Sequence, residues 1–240
     1  MSYAFFFVNP NDISGNTIVL RGQDYNHLAN ALRAKTGDIV EVSDNSSYRY
    51  TCRIAEIRQG KAVLEAKKRE KIKRISPQIT LFQCIIKKNA MEYLIQKATE
   101  IGIDKIIPVM SKRVVVDKKI LRKAERWNKI AESASKQSGR SISSKVLAPV
   151  SLEDIQPGDY DLFFIPYEQK KERNSFAGAL KHEQARNIGY LIGPEGGFET
   201  GEVDLLIKKG AQAVSLGKNI LRSETAAIYF LSVMDYLLKT

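Results

Sequence analysis

From residue 79 to the C-terminus, short apolar runs take turns with longer amphipathic ones, and that alternation restricts the fold more than any other feature. Residues 79–85, 105–109, 162–165, 188–192 and 213–216 read as strands, and residues 90–101, 119–137, 200–209 and 223–238 as helices. In the first helix Met91, Leu94, Ile95 and Ala98 share one face, and Gly102 closes it. Thr200 is the expected N-cap of the third. Strands that are apolar throughout and separated by helices build a parallel sheet covered on both faces. The chain is therefore expected to be α/β over this part.

The N-terminal part follows a different period. Residues 38–43, 48–57 and 61–66 alternate apolar with polar, and Gly37-Asp38, Asp44-Asn45-Ser46 and Gln59-Gly60 supply turns. Residues 24–34 form the one helical stretch, with Leu28, Ala31 and Leu32 on a common side. Short, closely spaced strands predict a small β-barrel. The charge run of residues 67–74, followed by Pro77, is taken as the boundary, giving a barrel domain over 1–74 and an α/β domain over 75–240.

Charge narrows the function. The net charge is +11, but it is uneven: +5 over residues 1–74, +9 over 87–145 and −3 over 146–240. A basic N-terminal and middle part suits a polyanion such as nucleic acid, because Lys and Arg release counterions from phosphates. No helix pairs a basic face with a strongly apolar one, so a membrane surface is the weaker reading, and no run approaches the ~18 apolar residues of a span. Cys52 and Cys84 are far apart and form no CxxC, so neither a disulfide framework nor a zinc site is expected, and a reducing cytoplasm is. With only His27 and His182, no multi-histidine metal site is expected within one chain.

The chemistry concentrates in two glycine segments. Leu191-Ile192-Gly193-Pro194-Glu195-Gly196-Gly197-Phe198-Glu199 and Leu216-Gly217-Lys218-Asn219-Ile220-Leu221-Arg222-Ser223-Glu224-Thr225-Ala226 each run from a strand through a glycine turn into a helix start. In an open parallel sheet such loops lie beyond the carboxyl ends of the strands, where ligands bind. Neither GxGxxG nor GxxxxGK[ST] is present, which argues against a Rossmann dinucleotide site and a P-loop. What remains is a small cofactor held by backbone groups, with an apolar wall from Leu216, Ile220 and Leu221.

These two segments resemble those of the SPOUT methyltransferases. More closely, nearly the whole chain resembles the bacterial ribosomal RNA small subunit methyltransferase E family. His27-Leu28, Leu32-Arg33, Gly37-Asp38, residues 96–102, Glu125-Arg126-Trp127 and residues 137–140 carry the likeness, in order. The likeness departs at Lys218-Asn219, where members commonly have an Arg second, and after Arg140, where a proline is often found. The resemblance implies a PUA-like barrel, a SPOUT domain with a C-terminal trefoil knot and a homodimer. It also implies methyl transfer from S-adenosyl-L-methionine to N3 of a uridine in the decoding region of 16S rRNA, within the small ribosomal subunit. In such a knot three loops cradle the cofactor. The first offers Ile165 and Pro166; the second Leu191, Ile192, Gly193, Pro194, Gly196 and Gly197. The third offers Ser215, Leu216, Gly217, Asn219, Ile220, Leu221 and Thr225. Arg222 is expected to stabilise the developing uridine anion or orient a phosphate, with Glu195 or Glu224 taking the N3 proton, although Arg222, Ser223 and Glu224 also suit a salt bridge or cap at the start of the last helix. Arg33, Lys87, Lys88, Lys97, Arg113, Arg126 and Arg140 are expected at phosphates, and His27 and Gln137 at RNA. Gln137 and Arg140 would reach the partner protomer's site. Trp127 reads as core, since Leu121, Ala124 and Ala131 share roughly its face. The competing readings are a SPOUT enzyme for another RNA position, such as a tRNA ribose, and a non-catalytic rRNA-binding assembly factor.

Overall fold

The structure, a computed structural model, describes residues 3–73, 76–111, 120–167 and 185–239. The chain divides into two compact units: Met1–Arg74 with Ser135–Ser143, and Ile75–Ala134 with Ser144–Thr240.

The first unit is a six-stranded sheet in the order β1-β4-β5-β6-β3-β2. Its strands are β1 (Ala4–Phe7), β2 (Ile13–Ser14), β3 (Thr17–Arg21), β4 (Ile39–Ser43), β5 (Tyr48–Arg58) and β6 (Lys61–Lys71). Phe6, Ile18, Leu20, Val40, Val42, Cys52, Ile54 and Leu64 come from both ends of that order yet bury in one cluster. A sheet whose opposite edges share one core must curl on itself, and this is the barrel read from the alternation. Two readings change. The charge run does not end the sheet: Lys68, Arg69, Glu70 and Lys71 pair with Thr51, Tyr50, Arg49 and Tyr48. Beyond Ala66 the residues are exposed on both faces, so the alternation stops while the backbone pairing continues. The helix is also broken. α1 (Gly22–Asn26) passes into a π turn, His27–Ala31. A π turn holds one residue more than an α turn and so rotates the next residues about the helix axis. Leu28 is fully buried, but Leu32 is 44% exposed rather than sharing its side, and the helix stops at Arg33 with φ 51°.

The second unit is a parallel sheet in the order β10-β8-β7-β12-β11-β13, with β9 beside β8. The strands are β7 (Gln78–Cys84), β8 (Lys105–Met110), β9 (Lys145–Val146), β10 (Val150–Ser151), β11 (Leu162–Pro166), β12 (Asn187–Ile192) and β13 (Gln212–Val214). Its helices are α2 (Lys88–Ile101), α3 (Ile120–Gln137), α4 (Thr200–Lys208) and α5 (Ser223–Lys239). Both faces are covered, as apolar strands require. Ile79, Leu81, Ile188 and Tyr190 pack with Met91, Leu94, Ile95, Trp127, Phe230 and Met234 on one side. Phe82, Cys84, Phe163, Leu191 and Leu206 pack on the other. Trp127, 2% exposed, is core. Gly102, at φ 128°, closes α2. The N-cap of α4 is Glu199 rather than Thr200, and its N–H donates to the Glu202 carboxylate at 2.9 Å. The trefoil knot turns on the path of residues 168–184, which lie outside the described residues. Among the described residues no helix is long and apolar enough to cross a membrane.

Candidate active site

The strand order sets the site. β7 and β8 run to one side of the sheet, while β11 and β13 lie on the far side of β12, so the order switches between β7 and β12. Loops leaving the carboxyl ends around such a switch diverge and open a crevice. A cavity of about 1340 Å³ lies there, walled by residues following β7, β11, β12 and β13.

The β12 loop forms a turn in which the Gly197 N–H donates to the Pro194 carbonyl at 3.0 Å. Glu195 and Gly196 lie at its corner. Gly197 takes φ +70° and Gly217 φ +125°, and a Cβ on either would meet no protein atom within 4 Å. These glycines are thus required by backbone conformation and leave open space beside the chain. Gly193 is different: a Cβ there would sit 3.0 Å from the Phe198 ring. In the third loop the Ser215 hydroxyl accepts from the Gly217 N–H at 3.3 Å. Leu216, Ile220 and Leu221 line the cavity, and Ile220 is 81% exposed.

The structure brings most of the expected residues to this one space. Pro166, Ile192, Gly193, Pro194, Gly196, Gly197, Ser215, Gly217 and Asn219 line it, and so do Glu195, Arg222 and Glu224. Three expected cofactor residues do not. Ile165 and Leu191 are fully buried in the core, on the sheet face that carries Phe163 and packs against Leu206. Thr225 is exposed on α5, about 100° round the helix from its neighbours Glu224 and Ala226, which line the cavity.

Glu195 is tied to the first wall: its Oε1 accepts from the Lys87 N–H at 3.1 Å. Arg222 and Glu224 form no ion pair with each other, so the salt bridge considered at this helix start is absent among the described residues. The Ser223 hydroxyl donates not to a helix group but to the Gly193 carbonyl at 2.6 Å.

The expected RNA residues scatter. Lys87 and Lys88 line the cavity, with Asn89 and Ala90. Lys97 pairs with Glu100 at 2.9 Å. Arg126 makes two bonds to Glu92, at 2.7 and 2.8 Å, and these hold the Glu92 carboxyl below its ordinary value. His27 sits edge-on to Phe6 on the exposed π turn. Arg33 is exposed, Gln137 is exposed at the end of α3, and Arg140 Nε donates to the Ile142 carbonyl at 3.3 Å. Arg113 lies outside the described residues. Tyr167, Phe198, Glu199, Asn89 and Ala90 also line the cavity and were not expected there. Their only sequence signal was position next to a strand end or glycine turn.

A family model described as an RNA methyltransferase domain matches residues 73–235, and one described as an RNA methyltransferase PUA domain matches residues 20–66. Ribosomal RNA small subunit methyltransferase E of Mesomycoplasma hyopneumoniae (strain 232) is 31% identical over 237 residues, 95% of this chain and 96% of that protein. The chain belongs to the ribosomal RNA small subunit methyltransferase E family. The Bacillus subtilis (strain 168) member is 29% identical over 92% of this chain and 90% of its own. A crystal structure of the Neisseria gonorrhoeae member bound to S-adenosyl methionine superimposes with a TM-score of 0.86 at 29% identity, covering 98% of both chains. Membership makes this protein an RNA methyltransferase with a PUA-like N-terminal domain.

Proposed function

We propose that this protein transfers a methyl group from S-adenosyl-L-methionine to N3 of a uridine in the decoding region of 16S rRNA, acting in the cytoplasm on the small ribosomal subunit. The observation that carries this reading is the single cavity holding both glycine loops together with Glu195, Arg222 and Glu224.

The donor set fits the cofactor. Open backbone at Gly197 and Gly217 would hold polar groups, and Leu216, Ile220 and Leu221 would face the adenine. When bound, the cofactor supplies a methyl on a positively charged sulfur. The residues must then align the nucleotide and manage one proton. The target base must leave its stack for N3 to reach the cavity. As the nitrogen–carbon bond forms and the sulfur–carbon bond breaks, the N3 proton passes to a carboxylate. Glu195, with Oε2 not engaged by Lys87, and Glu224 are the two candidates on the wall. Arg222 stands opposite the developing charge on the uracil ring. Lys87 and Lys88, on the β7 side of the same cavity, suit the flanking phosphates, with Arg33, Arg140, His27 and Gln137 as further RNA contacts.

The reading includes a homodimer and the trefoil knot. α5 buries Ala227, Phe230, Leu231 and Met234 but leaves Tyr229 and Tyr236 outward, at 47% and 69% exposure. An aromatic stripe of this kind suits a second copy.

The test is labelled S-adenosylmethionine with small subunits from a strain lacking the enzyme, followed by mapping of the modified base. Label at N3 of one 16S uridine is expected; label on a ribose, on tRNA or nowhere refutes the assignment. In that assay Arg222→Ala is expected to abolish transfer while cofactor binding stays measurable, and full activity would remove Arg222 from the mechanism.

A further inference from the structure

Gln83 is a polar residue in an apolar position. It lies near the end of β7, on the face that carries Ile79 and Leu81 into the core, and is fully buried. In the β7–β12 register it sits beside Ile192, the residue before Gly193. Its Nε2 donates to the Cys84 carbonyl and to the Ser223 hydroxyl, both at 2.9 Å. Ser223 in turn donates to the Gly193 carbonyl at 2.6 Å. The Cys84 carbonyl can only accept, so the amide must present its nitrogen, and this sets the direction of every bond in the chain. The Gln83 Oε1 is left with no hydrogen-bond partner among the described residues. An unpaired buried oxygen is unfavourable, and an apolar side chain of similar size would suit this core better. Residues that break a local rule without a gain in stability mark functional constraint.

We propose that Gln83 and Ser223 are positioning residues for methyl transfer: a buried relay that locks the Gly193 loop to the first residue of α5. Gln83 does not line the cavity, so it acts through Ser223. The relay fixes the spacing between Glu195 on one loop and Arg222 and Glu224 flanking Ser223 on the other. This role rests on the methyltransferase reading above.

The test uses the full-length protein with Gln83→Leu, Ser223→Ala, the double variant and Ser223→Thr. Gln83→Leu is expected to melt at or above the wild-type temperature while kcat on unmodified small subunits falls on the order of 10- to 100-fold, the scale of a displaced catalytic group. The S-adenosylmethionine Kd should stay within about threefold, since the cavity backbone is retained. Ser223→Ala should lose kcat by a similar factor, Ser223→Thr should restore most of it, and the double variant should match the worse single because the two act as one unit. In the ligand-free protein, amide exchange should rise together at residues 193–197 and 222–226 in both single variants. Wild-type kcat in Gln83→Leu, multiplicative losses in the double variant, or unchanged exchange in both segments would overturn the relay. If the wild type itself methylates no small subunit, the functional reading has failed, and the exchange measurement still decides whether the relay exists.

Discussion

Gly189 sits in the middle of β12, where a side chain would have nowhere to go. A Cβ placed on it would lie 2.6 Å from Phe163 Cδ2, 2.8 Å from Phe163 Cε2 and 3.1 Å from Tyr160 Cδ1. Phe163 is 1% exposed and its ring lies 5.3 Å from Phe82 and 5.5 Å from Tyr160, so it cannot swing aside without moving a three-ring cluster. Overpacking of this kind costs about 3 kcal/mol at the upper end of its usual range. Removing a glycine from a strand returns ~0.5–1 kcal/mol of backbone entropy. Gly189→Ala is therefore expected to destabilise by about 2 kcal/mol. For a chain of this length each kcal/mol moves the midpoint by roughly 2–4 °C, so the Tm should fall by about 4–8 °C. Differential scanning calorimetry reads this directly. Phe163→Leu removes the clashing ring edge, so Gly189→Ala should cost less in that background than in the wild type, the non-additivity expected of side chains in contact. A Gly189→Ala protein as stable as the wild type, or strict additivity with Phe163→Leu, would refute the packing argument.

Three other parts of the molecule give outcomes that can be measured. Burial pushes the Asp44 carboxyl up, but the N–H groups of Tyr48, Ser47 and Ser46 outweigh it and hold the group below its usual 3.8. The stabilisation it gives is thus fully present above that pH and fades as pH falls through the lower folded value. Asp44→Ala should cost ~1–2 kcal/mol in denaturant unfolding at pH 6 and progressively less as the pH falls below 3.8; an equal loss at pH 6 and in acid would contradict it. In RNA binding, Lys87→Ala should reduce the slope of log affinity against log salt by about 1, whereas Arg126→Ala, already paired to Glu92, should leave it nearly unchanged. Finally, burial pushes both thiols up to about 12, so a disulfide reagent at pH 8 should label neither Cys52 nor Cys84 until the protein is unfolded.

What could be read from sequence was whatever depends on local period. Met91, Leu94, Ile95 and Ala98 are all fully buried, as their spacing required, and the apolar strands found the two-faced sheet their pattern demands. Features fixed by distant contacts were not legible. Nothing near Leu32 announces the π turn that turns it outward. Gln83 and Ser223 are 140 residues apart, and no spacing rule links them. Lys87 and Lys88 looked like general phosphate ligands, and only the placement of β7 beside β12 puts them on the wall of the glycine cavity. The glycine loops were legible because positive φ at Gly197 and Gly217 leaves a mark in residue type, whereas Asn89, Ala90 and Tyr167 join the site by position alone.

The electrostatics of residues 87–145 explain why a strongly basic chain need not hold RNA everywhere on its surface. Residues 87–145 carry a net +9, yet several of these cations are already engaged. Arg126 is bound to Glu92, Lys97 to Glu100 and Lys136 to Asp24. An exposed pair of this kind adds little to stability, but it removes a cation from those able to release counterions from phosphate. By contrast, Lys87 and Arg222 form no ion pair among the described residues, and both line the cavity. Two cations that remain open to phosphate thus line the cavity where the chemistry is proposed to occur. A nucleotide drawn in by Lys87 would lie beside Glu195, whose carboxylate is anchored on the Lys87 N–H. The same short segment, residues 87–90, would then both recruit the backbone and hold a proton acceptor in place. Substituting the Lys87 side chain should therefore weaken RNA binding and leave kcat nearly intact, because the N–H that fixes Glu195 belongs to the backbone and survives the change.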